Sequence, residues 1–147
     1  MKLKDKKVGI VAAHWNPSVT DKLFKGALDA FKKNEINEKQ IEIVRCPGAF
    51  EIPSAAQMLL PKVAGIVTIG AVIRGETPHF EYISEAVSHG IMQLNIKYNK
   101  PLTFGVLTTN TAEQAAERSD RDSSFGNKGA EAALSLIKMI ELKAQLS

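Results

Sequence analysis

Apolar residues along this chain fall into two alternating kinds of run. Residues 7–13, 41–45, 65–73 and 102–107 are short continuous stretches rich in Val and Ile. Such runs read as strands buried on both faces. Between them the apolar positions recur at helical spacing. Phe24, Ala27, Leu28 and Phe31 predict a helix over 18–33. Phe80, Ile83, Ala86, Val87 and Ile91 predict another that starts at Pro78 and ends near Tyr98-Asn99. Residues 50–60 also read as a helix, provided Pro53 lies in its first turn. Two further helices, 112–118 and 127–144, close the chain. Asn16 is placed to cap the first helix and Pro17 to open it.

The predicted order is βαβαβαβαα. Apolar strands joined by helical crossovers give a parallel sheet covered on both faces, with right-handed connections. The expected fold class is α/β: a flavodoxin-like, doubly wound, three-layer α/β/α arrangement around a four-stranded parallel sheet. The whole span 1–147 is expected to be one domain, with 1–6 as a short N-terminal arm. In such sheets ligands lie beyond the carboxyl ends of the strands. The loops after Ala13, Arg45, Ile73 and Leu107 are therefore where chemistry is expected.

Composition narrows the function. Apolar residues make up 44% and charged residues 24%, the balance of a water-soluble globular protein. The net charge of +3 is spread among acidic residues, and only positions 2–7 approach a lysine run. The clustered basic stripe of a nucleic-acid binder is missing, so a small anionic substrate fits at least as well. No run is long enough to span a membrane, and the N-terminal lysines precede no apolar signal segment. Cys46 is the one cysteine, which excludes an internal disulfide and a cysteine zinc site. A reducing compartment, the cytoplasm, is expected. His14, His79 and His89 are not at metal-ligand spacing, so no metal is expected.

The strand-end loops hold the unusual residues. Arg74-Gly75-Glu76-Thr77-Pro78-His79 follows the third strand. Gly75 permits close approach of a ligand, Thr77 offers a hydroxyl, and the amides of the helix start point outward; this is either an anion site or an ordinary capped loop. His79 is either a surface histidine or a proton shuttle, since imidazole titrates near neutral pH. Trp15 is either core packing or a shelf for a flat heterocycle. Glu51 at a helix start suits the helix dipole whatever its function. Arg118, Lys128 and Glu131, taken singly, read as solvated charges.

Five strings change that balance: Gly48-Ala49-Phe50-Glu51-Ile52-Pro53; Gly70-Ala71-Val72-Ile73-Arg74-Gly75 with Thr77 and His79; Phe104-Gly105-Val106-Leu107-Thr108-Thr109; Glu113-Gln114-Ala115 with Glu117-Arg118; and Gly126-Asn127-Lys128-Gly129. In this order and spacing the chain resembles the lumazine synthases from about residue 7 to residue 144. The resemblance implies a cofactor-free transferase of riboflavin biosynthesis, which joins 5-amino-6-(D-ribitylamino)uracil to 3,4-dihydroxy-2-butanone 4-phosphate. It implies that His79 is the general acid/base. It further implies that Gly75, Glu76, Thr77 and Arg118 hold the phosphate. The pyrimidine and ribityl chain would be held by Trp15, Asn16, Ala49, Phe50, Glu51, Ala71, Val72 and Ile73, with Phe104, Lys128 and Glu131 contributed by a neighbouring subunit. Partners would then be small-molecule substrates and further copies of the chain, with neither nucleic acid nor membrane. The alternatives are a flavin- or nucleotide-binding module on the same fold, and a catalytically inactive shell-forming homologue.

Two departures from the family pattern stand out. Trp15 replaces a more usual phenylalanine and enlarges the aromatic face. The connection Ser119-Asp120-Arg121-Asp122-Ser123-Ser124-Phe125 is longer than in cage-forming members and lacks glycine before Gly126. Because this connection sets the angle between the last two helices, the expected assembly is a pentamer or a pair of pentamers rather than a full icosahedral cage.

Overall fold

In the computed structural model, which describes residues 3–147, four parallel strands form one sheet in the order β2-β1-β3-β4. The strands are β1 (Val8–Ala13), β2 (Ile41–Cys46), β3 (Ile66–Ile73) and β4 (Leu102–Thr109). The helices are α1 (Pro17–Lys33), α2 (Ile52–Leu59), α3 (His79–Tyr98), α4 (Ala112–Arg118) and α5 (Lys128–Leu146). This is the three-layer, doubly wound fold that the apolar pattern predicts.

Burial explains the strand order. All of β1 is buried and β3 is buried up to Ile73, so both lie inside the sheet. In β2 and β4 buried and accessible positions mix, as edge strands require. Successive residues of β1 feed opposite layers. Ile10 and Ala12 pack with Leu23, Phe31 and Leu136 beneath α1 and α5, while Val11 and Ala13 pack with Ile52, Ala56 and Ile91 beneath α2 and α3. The α1–α5 crossing is so close that a Cβ on Gly129 would stand 2.1 Å from the Leu23 carbonyl oxygen. No larger residue fits there without moving a helix.

Two local readings are corrected. Asn16 stands at the start of α1 but does not cap it with its side chain; its backbone is left-handed, at φ 62°. Its carbonyl accepts from the amides of Val19 and Thr20, and its side-chain amide instead donates to Ala71 O on β3 at 3.2 Å. Asn tolerates that conformation better than most residues. The expected helix over 50–60 is divided into a 3-10 turn, Ala49–Glu51, then α2, then a second 3-10 turn, Leu60–Lys62. Phe50 and Glu51 therefore precede α2 rather than begin it, and Pro53 does lie in the first turn of α2, where a missing N–H costs nothing.

Candidate active site

The chain runs from β1 to β2 on one side and returns to β3 on the other. The gap beyond the ends of β1 and β3 is thus the topological switch point of the sheet. A cavity of about 560 Å³ opens there. Trp15 and Asn16 come from the end of β1, Ala49, Phe50 and Glu51 from the turn after β2, Ala71, Val72 and Ile73 from the end of β3, and His79 from the first residue of α3. These nine of the site residues predicted in the three loops meet in one place; Gly75, Glu76 and Thr77 do not join them. Trp15 is 69% exposed and Phe50 57%, which rules out core packing for both within the chain.

Backbone groups hold this cavity in shape. Trp15 N donates to Pro47 O at 3.0 Å, tying the ends of β1 and β2 together. The Asn16 bond to Ala71 O ties β1 to β3. Glu51 folds back so that its carboxylate accepts from Gly48 N at 2.9 Å. Cys46 is buried beside this loop, its thiol directed to Gly48 O at 3.6 Å. Burial, with a smaller contribution from the Glu51 charge, pushes that thiol up to about 11, so it stays protonated and unreactive at neutral pH. Cys46 is thus a small apolar filler of the inner layer.

Phe104, Arg118, Lys128 and Glu131 lie elsewhere. They line a second cavity of about 650 Å³ along the outer strand β4, bounded by α4 and the start of α5. It shares no lining residue with the first. Lys128 pairs with Glu131 at 3.1 Å, and Arg118 Nη1 donates to Gln114 O at 3.1 Å. Gly75, Glu76 and Thr77 line neither cavity. They stand exposed on the loop before α3, where the Thr77 hydroxyl accepts weakly from His79 N at 3.4 Å. A Cβ on Gly75 would meet nothing within 4 Å, so the fold leaves this loop open to a ligand but does not itself demand glycine.

Three residues with structural parts in the site were not assigned roles from sequence. Arg74 donates through Nε to Asn110 Oδ1 at 2.9 Å, pairs through Nη1 with the Glu81 carboxylate, and lies 4.5 Å over the Phe80 ring. It therefore braces the loop after β3, which leads to His79, against the loop after β4. The Arg74 hydrogen bond holds the Glu81 carboxyl below its ordinary value, and the Arg74 charge adds to this. Asn127 accepts from Ala130 N at the start of α5 and donates to Lys22 O on α1 and Ser119 O after α4. It fixes the spacing of its neighbours Arg118 and Lys128. Phe125 lies beneath the Arg118 guanidinium, 4.2 Å from its carbon. The helix-opening position of Asn127 was legible; Arg74 meets Asn110 from another loop and Glu81 seven residues on, and Phe125 meets Arg118 seven residues back, contacts that loop geometry alone makes.

A parallel α/β layer with an aromatic cavity at its switch point and a cationic cavity on its outer strand defines a small-molecule enzyme of the doubly wound class. Among enzymes of this class the family is specific: the chain belongs to the 6,7-dimethyl-8-ribityllumazine synthase family, whose model matches residues 5–144. It is 48% identical over 138 residues to the 6,7-dimethyl-8-ribityllumazine synthase of a Nitratiruptor species, covering 92% of this chain and 88% of that one. Identity to the enzyme of the same name from Aliarcobacter butzleri is 46% over 140 residues, covering 94% and 88%. For that from a Sulfurovum species it is 45% over 145 residues, covering 97% and 92%.

Proposed function

We infer that the chain catalyses the reaction for which these relatives are named, the penultimate step of riboflavin biosynthesis. The primary amine of 5-amino-6-(D-ribitylamino)uracil attacks the ketone of 3,4-dihydroxy-2-butanone 4-phosphate. Water leaves to give an imine, phosphate is eliminated, and the ribitylamino nitrogen closes onto the remaining carbonyl with loss of a second water. The attacking amine is already a nucleophile, so the protein needs alignment, an anion site and a proton relay rather than a covalent intermediate.

The roles follow from that demand. Trp15 and Phe50 flank the pyrimidine, with backbone groups of Ala71, Val72 and Ile73 along its edge and Asn16 beside it. Ala49 lets the backbone approach the ribityl chain, and Glu51 accepts from its hydroxyls. His79 moves the protons lost and gained at the condensing nitrogen and carbonyl. Arg118, with the open loop Gly75-Glu76-Thr77, holds the phosphate, and Lys128, Glu131 and Phe104 close the far side.

What supports this reading is one observation: Trp15 and His79 share a cavity, while Arg118 and Lys128 line another. A site that needs both sets is completed where the first cavity of one copy meets the β4 edge of the next, so the enzyme works as a homo-oligomer. A pentamer, or two pentamers face to face, suits the turn-rich connection after Arg118. There Ser123 is bonded to the carbonyls of Glu117 and Asp120. Light scattering would give five or ten subunits; a particle of sixty would overturn the smaller assembly. No helix among the described residues is long and apolar enough to cross a membrane. The direct test of the activity is to mix the purified protein with both substrates and follow the fluorescence of the lumazine product. Formation no faster than the uncatalysed reaction would overturn the reading.

A further inference from the structure

We propose that Phe125 is a positioning residue for the substrate phosphate, acting through Arg118. This inference rests on the assignment of Arg118 to the phosphate. Phe125 is 42% exposed and lies outside both core clusters, so packing the interior does not account for it. The carbon of the Arg118 guanidinium stands 4.2 Å over the centroid of its ring. From the other end Arg118 Nη1 donates to Gln114 O, the one acceptor this side chain takes among the described residues.

The geometry matters because a guanidinium donates in its own plane. A ring beneath its face restrains the tilt of the fork and consumes none of its N–H groups. The carbonyl bond uses one of five donors. The rest of the fork remains for a planar or tetrahedral oxyanion, already oriented, so less side-chain freedom is lost when the anion arrives. The ring itself is held by its connection. Phe125 N donates to the Ser123 hydroxyl at 3.3 Å, and the next residue, Gly126, takes φ +71°, turning the chain into the Asn127 cap of α5. The lengthened stretch after α4 thus carries an aromatic shelf back beneath the last residue of that helix. It serves the affinity for the phosphate substrate as well as the angle between helices.

The test is steady-state kinetics on the assembled enzyme with Phe125→Leu, Phe125→Tyr and Phe125→Trp, together with inhibition by inorganic phosphate as the probe of the anion site. Leucine keeps apolar bulk and loses the π face. An exposed cation–π contact of ordinary strength corresponds to roughly two- to fivefold in binding. Phe125→Leu is expected to raise KM for the sugar phosphate and weaken phosphate inhibition by about that factor. The KM for the uracil and the Tm should stay as in the wild type, and tyrosine and tryptophan should restore both phosphate readouts. An active wild type whose Phe125→Leu variant matches it overturns this inference alone. So does a loss shared equally by the leucine and tryptophan variants, or one that falls on both substrates. A wild type that makes no product removes the enzymatic reading, and this inference with it.

Discussion

The two cavities differ in how they are built. The first, at the ends of β1, β2 and β3, is shaped by bonds that tie these strand ends and the turn after β2 to main-chain groups, Trp15 N to Pro47 O, the Asn16 side chain to Ala71 O and the Glu51 carboxylate to Gly48 N, and its broadest surfaces are aromatic. The second, along β4, is shaped by side chains: Asn127 bonded to three segments, Lys128 paired with Glu131, Arg118 laid on Phe125. The first is thus a preformed slot suited to a rigid planar ring. The second is a set of cations on an edge, suited to a charged and flexible substrate. On the proposed roles the ring is held by shape and the phosphate by charge, and variants at Trp15 and at Arg118 should separate the two Michaelis constants.

The largest separation is expected from Arg118→Ala. Hydrogen bonds to a charged group are worth about 1.5–3 kcal/mol, so KM for the sugar phosphate should rise roughly ten- to hundredfold, with KM for the uracil little changed. Equal effects on both constants would contradict the division. Trp15→Ala should do the reverse: stacking on an aromatic side chain contributes about 1–3 kcal/mol per base, so KM for the uracil should rise roughly five- to hundredfold while that for the sugar phosphate holds. His79→Ala should change neither KM much and lower kcat by about tenfold. That lies below the usual range for an acid/base residue, because the amine condenses unaided. It should also flatten the pH dependence of kcat; an unaltered profile would count against the relay.

The smallest effect concerns the brace between the regions. Because Arg74 lowers the Glu81 carboxyl, this group stabilises the fold fully above the ordinary glutamate value near 4.3 and progressively less as pH falls through its lower folded value. Glu81→Gln should therefore reduce Tm slightly at neutral pH and match the wild type only in strong acid. A constant difference down to the most acidic folded pH would show that the pair contributes nothing through charge.

Most of the frame was legible because burial dictates it. A run such as Ile66–Ile73 can only be a central strand, and the helices between such runs leave one architecture. The loops that form the first cavity were legible for the same reason, since strand ends in this fold must converge; which of their residues belong to the site came from the resemblance to the family. What periodicity could not reach was conformation set by single residues. A left-handed Asn16 has no helical or strand signature, so its side chain was expected on its own helix and is found on β3. The 3-10 turns flanking α2 carry the same apolar spacing as a helix over so short a span. The Arg74 brace and the Phe125 shelf join residues across loops, where no period exists to be read.

The central claim is that one working site takes its aromatic slot from one copy of the chain and its cations from another. Two impaired variants test it, Trp15→Ala/His79→Ala and Arg118→Ala, dissociated, mixed in equal amounts, reassembled and assayed with both substrates well below the raised Michaelis constants. If the site is shared between copies, random pairing leaves about one junction in four with both halves intact, and activity should return to roughly that fraction of the wild type. A mixture no more active than its two components would place the whole site within one chain and contradict the account.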